Sequence, residues 1–165
     1  MLHSVARHSI YNRSCLIEIL KGAVDAVMRR RIELDYSNCM GIVFEKVCQD
    51  YLSAKNAAGE LPILFTSIGR WWGTDPVNRT QTEIHLVAND NKDYLICECK
   101  WRNEKLDLSV VKKLIDKADI FSKNRDQTWF VLFSKSGFTD AVLEAAQKDD
   151  SLILVGLDDI MALCN

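Results

Sequence analysis

Thr82-Glu83-Ile84-His85-Leu86-Val87-Ala88, the polar turn Asn89-Asp90-Asn91-Lys92-Asp93, then Tyr94-Leu95-Ile96-Cys97-Glu98-Cys99-Lys100-Trp101: this stretch decides the fold. It reads as a β-hairpin, two apolar-rich arms around a turn of Asn and Asp. Side chains alternate faces along a strand, so regular arms would place Glu83 beside His85, and Glu98 beside Lys100. Two carboxylates, an imidazole and an ammonium would then meet on one face of a sheet whose other face is apolar. Ion pairing explains any two of them; four together on otherwise apolar strands suggest a site.

The rest of the chain is soluble and globular in composition. Its 165 residues are 48% hydrophobic and 27% charged with only 7 Gly and 2 Pro, enough for one ordinary domain with a single core. A net charge of −2 and a pI near 5.9 exclude a global basic field of the kind that attracts nucleic acid without regard to sequence. No apolar run approaches the roughly 20 residues of a membrane span, so no membrane partner is expected. Cys15, Cys39, Cys48, Cys97, Cys99 and Cys164 lack zinc-type CxxC spacing and follow no signal-peptide pattern. They are read as reduced, small hydrophobes in a cytoplasmic protein.

Working outward, residues 1–36 are expected to form an N-terminal arm and a helix over Gly22 to Arg31. Arg29-Arg30-Arg31 is either a solvated helix end or a nucleic-acid contact. A separate domain is expected over 37–165. Ser37 to Ala54 is the strongest helix, with Ser37 or Asn38 as cap and Met40, Val43, Phe44, Val47, Cys48 and Tyr51 as its stripe. Glu45 falls on the shoulder of that stripe, and Gly41 leaves room for close approach. Leu61 to Ile68 reads as a strand and Arg70 to Pro76 as a loop. One of Trp71 and Trp72 should plug the core while the other covers an edge or stacks on a base. Trp72, Arg70 and Arg102 are the candidate nucleic-acid contacts, and Asp75 is a spare acid near the site.

After the hairpin, a helix over Ser109 to Phe121 carries Val110, Val111, Leu114, Ile115 and Ala118 inward. Between Glu98 and Arg125 eight basic residues face five acidic ones, a local basic bias that a solvated helix face also explains. Thr128 to Ser134 is a buried strand by its continuous apolar run. A helix from Gly137 to Lys148, a strand over Leu152 to Val155 and a terminal helix opened by Asp158-Asp159 complete the chain. The expected fold is α/β, a mixed central sheet flanked by helices.

Four stretches carry a resemblance: Gly41-Ile42-Val43-Phe44-Glu45, Ile68-Gly69-Arg70-Trp71-Trp72-Gly73, Glu98-Cys99-Lys100-Trp101 and Phe133-Ser134-Lys135-Ser136-Gly137-Phe138-Thr139. The order of helical Glu, strand acid and acid-x-Lys resembles the PD-(D/E)XK nuclease superfamily. More narrowly, the stretches are similar to domain of unknown function 234, found at the C-terminus of archaeal and bacterial AAA-type ATPases. The resemblance implies a restriction-endonuclease-like αβββαβ core, Mg²⁺- or Mn²⁺-dependent DNA cleavage, and an ATPase host or partner. It makes Glu45 the helix carboxylate, Glu98 a metal-ligating acid and Lys100 the catalytic ammonium. Where the family pattern has the Asp of Glu-Ile-Asp, this chain has His85.

That departure matters chemically. A divalent ion polarises a phosphodiester and lowers the pKa of an attacking water, and Mg²⁺ wants hard oxygen ligands. Imidazole removes one negative charge and suits Mn²⁺ or Zn²⁺ better, while Glu83 lies one pleat away as a substitute. Metal ligands on this reading are Glu98, His85 and Glu83; without a metal, Glu98 and Lys100 pair. Two functions follow: a divalent-metal-dependent endonuclease, or a catalytically inactive nuclease-like module that binds nucleic acid or a partner. No Gly-x-x-x-x-Gly-Lys-Ser/Thr occurs, so the chain itself is not expected to bind ATP.

Overall fold

The computed structural model describes residues 33–163. The chain divides into two compact units, 1–40 and 41–165, and the sheet and the site belong to the second. The arm, the Gly22 to Arg31 helix, its triple Arg, Cys15 and Cys164 lie outside the described residues. The elements are α1 (Glu33–Ala57), β1 (Ile68–Thr74), β2 (Gln81–Asp90), β3 (Asp93–Lys100), α2 (Leu108–Phe121), β4 (Thr128–Ser134), α3 (Asp140–Lys148), β5 (Leu152–Gly156) and α4 (Leu157–Ala162).

The five strands form one mixed sheet in the order β1-β2-β3-β4-β5. β1, β2 and β3 are an antiparallel meander, and β4 and β5 continue parallel to β3 through the α2 and α3 crossovers. The β2–β3 turn is tighter than the sequence implies. Both strands extend into the polar run, leaving Asn91 and Lys92 between them, and Asn91 takes the left-handed conformation (φ 55°) that Asn tolerates.

Helices cover both faces, as the alternation of apolar side chains in the inner strands requires. On one face Phe44, Cys48 and Leu52 of α1, with Ile160 of α4, pack on Leu95, Cys97 and Cys99 of β3 and on Val131 and Phe133 of β4. On the other, Val110, Val111, Leu114 and Ala118 of α2 and Val142 of α3 pack on Ile96, Leu132 and Leu152. Cys48, Cys97 and Cys99 are buried free thiols, small core residues as expected, whereas Cys39 is exposed. Trp71 enters the α2 side and meets Phe121 edge-on at 5.3 Å, while Trp72 stays 67% exposed. A side chain at Gly73 would overlap the Trp71 ring, so this glycine serves close approach.

Five local expectations need correction. Of the strand expected over Leu61 to Ile68 only Ile68 is extended, as the first residue of β1, and the expected loop from Arg70 is most of that strand. Pro62 lacks the N–H a ladder needs, and the segment is held instead by Asn56 of α1. Its side chain accepts from Phe65 N–H at 3.0 Å and donates to Phe65 C=O at 2.9 Å, so Ile63 and Phe65 fill the core from a loop. α1 starts before Ser37 and Asn38, which lie inside it rather than capping it. Its buried stripe is rotated: Val43 and Val47 are exposed, and Leu52 is buried. Gly41 has open space beside it, so no close neighbour explains it.

Candidate functional site

A β-bulge organises the site. Gly69 pairs with Val87 and Trp71 with Ile84, so His85 and Leu86 together stand opposite the single residue Arg70. The extra residue reverses the alternation: Ile84 packs on the α2 side, but Leu86 and Ala88 pack on the α1 side. Pairing with β3 reaches only Leu86 opposite Cys97. Beyond it Cys99 has no partner on β2, and its N–H donates to His85 Nδ1 at 3.0 Å. The imidazole thus fills a seam between β2 and β3.

The charged residues therefore do not share one face, which corrects the regular-hairpin expectation. Glu98 follows Ile96 on the α2 side and is buried (3% exposed). Lys100 Nζ meets its Oε1 at 2.5 Å, and Lys117 Nζ of α2 meets its Oε2 at 3.0 Å. Glu45, on α1, pairs with Arg70 of β1, which also approaches Glu83 at 3.8 Å. His85 joins the two groups: Nδ1 lies 3.8 Å from Glu45, and Nε2 lies 3.9 Å from Glu83 and 4.0 Å from Glu98. A cleft on the α1 side, lined by Ile42, Glu45, Gln49, Gly69, Arg70 and His85, opens onto this cluster.

Of the sequence-derived residues, Glu45, Glu83, His85, Glu98 and Lys100 are connected, and Arg70 joins them as a structural cation. Arg70 also lies over the Trp72 ring, 5.8 Å from its centroid. Arg102 sits apart, past the end of β3, where its C=O accepts from Ser136 Oγ and its Nε is buried without a partner among the described residues. Asp75 holds its own turn, accepting from Val77 N–H, Asn78 N–H and the Asn78 side chain, rather than serving the site. Part of the local basic bias is internal, since Lys100 and Lys117 face Glu98, and Arg125 pairs with Asp119 at 2.6 Å. Sequence reasoning missed Lys117. Its one signal is position, three residues after Leu114 and one before Ala118, where a long stem lies along the buried stripe.

Protonation follows from this geometry. A backbone N–H only donates, so His85 Nδ1 presents a lone pair and the proton of the neutral ring sits on Nε2. Burial lowers the His85 pKa from its ordinary 6.5. Glu98 and Glu83 act against that, and Lys100 and Lys117 act with it. Burial alone would raise Glu98, but His85, Lys100 and Lys117 outweigh it and hold the carboxyl below its ordinary 4.5.

A depressed histidine pKa means that the unfolded chain binds the proton more tightly. The His85 contribution to stability is therefore present above about pH 6.5 and is lost as pH falls through the lower folded value. The expected result is a fall in unfolding free energy below pH 6.5, by at most about 1.4 kcal/mol per pH unit from this group, and a flatter profile in His85→Asn. Glu98 adds a second loss below about pH 4.5. Equal slopes for wild type and His85→Asn in urea titrations between pH 7 and 5 would remove His85 from this account.

The donor set does not fit a divalent metal. His85 Nε2, the nitrogen facing Glu83 and Glu98, carries the proton and has no lone pair to give. Three carboxylates (Glu45, Glu83, Glu98) already face three permanent cations (Arg70, Lys100, Lys117). Among the described residues, no three or more His, Cys, Asp or Glu side chains converge to hold a metal ion.

The fold and the seam define a mixed α/β domain with a charge cluster at a strand bulge. Residues 9–114 match the family DUF234, described as archaea bacterial proteins of unknown function, and the chain belongs to that family. It is also similar to the uncharacterized protein MJECL04 of Methanocaldococcus jannaschii, 42% identical over 76 residues. That match covers 45% of this chain and 16% of the relative, so the chain spans a small part of that protein's length. A solved structure, the protein of unknown function AF1548, aligns over 67% of this chain and 57% of its own with a TM-score of 0.40 and 16% identity. Among the described residues no helix is long and apolar enough to cross a membrane.

Proposed function

We propose that this chain is a PD-(D/E)XK nuclease-like module that binds rather than hydrolyses, serving an AAA-type ATPase host or partner. The observation that carries this reading is the Cys99 N–H bond to His85 Nδ1, which leaves no metal-donating nitrogen where the nuclease pattern has an Asp. The αβββαβ order, and Glu45 reaching the Glu98–Lys100 pair through His85, support the nuclease-like class. The proposed ligand is a nucleic-acid strand at the β1 edge, supported by exposed Trp72 with the Arg70 guanidinium over its ring. The small share of the M. jannaschii relative that the chain covers supports a larger host.

A second reading, a divalent-metal-dependent DNA endonuclease, draws on one observation: Lys100 lies 2.5 Å from Glu98, as an acid-x-Lys catalytic pair would place it. A supercoiled-plasmid nicking assay in Mg²⁺ and in Mn²⁺ separates the two. The expected result is no cleavage by wild type above the level given by Lys100→Ala. Metal-dependent nicking by wild type that Lys100→Ala abolishes would overturn the binding-only reading.

A further inference from the structure

The charges around the seam balance in a way that identifies a role for a residue outside the nuclease pattern. Glu45, Glu83 and Glu98 carry three negative charges, of which Lys100 offsets one. The remaining −2 is the charge that a single divalent ion would neutralise. Two tethered side chains supply it here: Arg70, between Glu45 and Glu83, and Lys117, 3.0 Å from Glu98 Oε2. Lys117 is not a solvated surface lysine. Its side chain is 23% exposed and its partner carboxylate 4% exposed, whereas Lys112 and Lys113 on the same helix are exposed.

We infer that Lys117, with Arg70, stands in the electrostatic place of a divalent cation, so that the carboxylate cluster is complete without a metal. The inference rests on the binding-only reading and deepens it by naming what replaced the ion. Lys117 acts as a positioning residue: its ammonium fixes the Glu98 carboxylate and blocks the approach of a metal to Oε2. Removing that ammonium leaves Glu98 with Lys100 alone and the cluster short of one positive charge, which a hard divalent ion can supply through oxygen ligands and water.

The test is thermal denaturation and calorimetric titration with MnCl₂ of wild type, Lys117→Met, Lys117→Arg and the exposed control Lys112→Met. The expected results are a flat wild-type response to millimolar Mn²⁺, a lowered Tm for Lys117→Met, and recovery of most of that loss in Mn²⁺ with a measurable binding isotherm. Lys117→Arg should behave as wild type, since it restores the cation. Should Lys117→Met fold too poorly, Lys117→Gln, which keeps a donor to Glu98, gives the same comparison. A Tm loss that Mn²⁺ does not recover, or no loss beyond that of Lys112→Met, would overturn the role given to Lys117 while leaving the binding-only reading intact. Saturable Mn²⁺ binding by wild type would overturn both.

Discussion

His85→Asp is expected to destabilise the protein by about 3–5 kcal/mol in chelator-treated buffer, and to make its stability depend on divalent ions. An Asp oxygen can still accept from the Cys99 N–H, so that bond is not what is lost. The cost comes from a fourth carboxylate placed where the imidazole lies 3.8, 3.9 and 4.0 Å from Glu45, Glu83 and Glu98. At an effective dielectric of about 20, like charges about 4 Å apart repel by about 4 kcal/mol per pair before relaxation. Shifts of pKa and side-chain movement reduce that sum to the smaller net figure. Urea unfolding in EDTA and in Mn²⁺ reads both halves of the expectation. His85→Asn, neutral and similar in shape to Asp, separates charge from packing. If the Asn variant proves as unstable as the Asp variant, the charge account is wrong.

The second large effect belongs to the scaffold. Phe133→Ala should cost about 3–5 kcal/mol, with a lowered denaturant midpoint and an unchanged m-value. Phe133 is fully buried in β4, meets the Tyr51 ring of α1 edge-on at 5.8 Å, and pairs across the ladder with Cys99. Its truncation opens a cavity under the helix that carries Glu45. A cost below about 1 kcal/mol, the range of surface substitutions, would mean that α1 is not held on the sheet through this ring.

Much of the fold was legible because the inner strands are covered on both sides. The continuous apolar run of Thr128 to Ser134 fixes β4 to the residue. The stripe of Val110, Val111, Leu114 and Ala118 finds the buried face of α2, whose N-terminus is capped by Asp107 accepting from Ser109 N–H at 2.9 Å; Ile115, at the margin of the stripe, is exposed. β1 was hidden because its burial is irregular and its glycines and tryptophans read as a turn, while the apolar residues just before it belong to a loop.

At the site, residue types were readable and geometry was not. Glu45, Glu98, Lys100 and His85 stand out by order and chemistry, but a period of two cannot register one surplus residue in β2. Lys117 was invisible for another reason. Its role comes from a 19-residue separation in sequence closed by the crossover packing of α2, and a lysine on a charged helix reads as solvated.

The surplus residue in β2 has a consequence that no side-chain substitution would reveal. Were β2 one residue shorter through this region, it would zip against both neighbours and seal the seam. Glu45 and Glu98 would then lie in separate halves of the molecule, each with its own cation, with no ring between them. The meeting point therefore depends on the length of one strand as much as on the chemistry it carries.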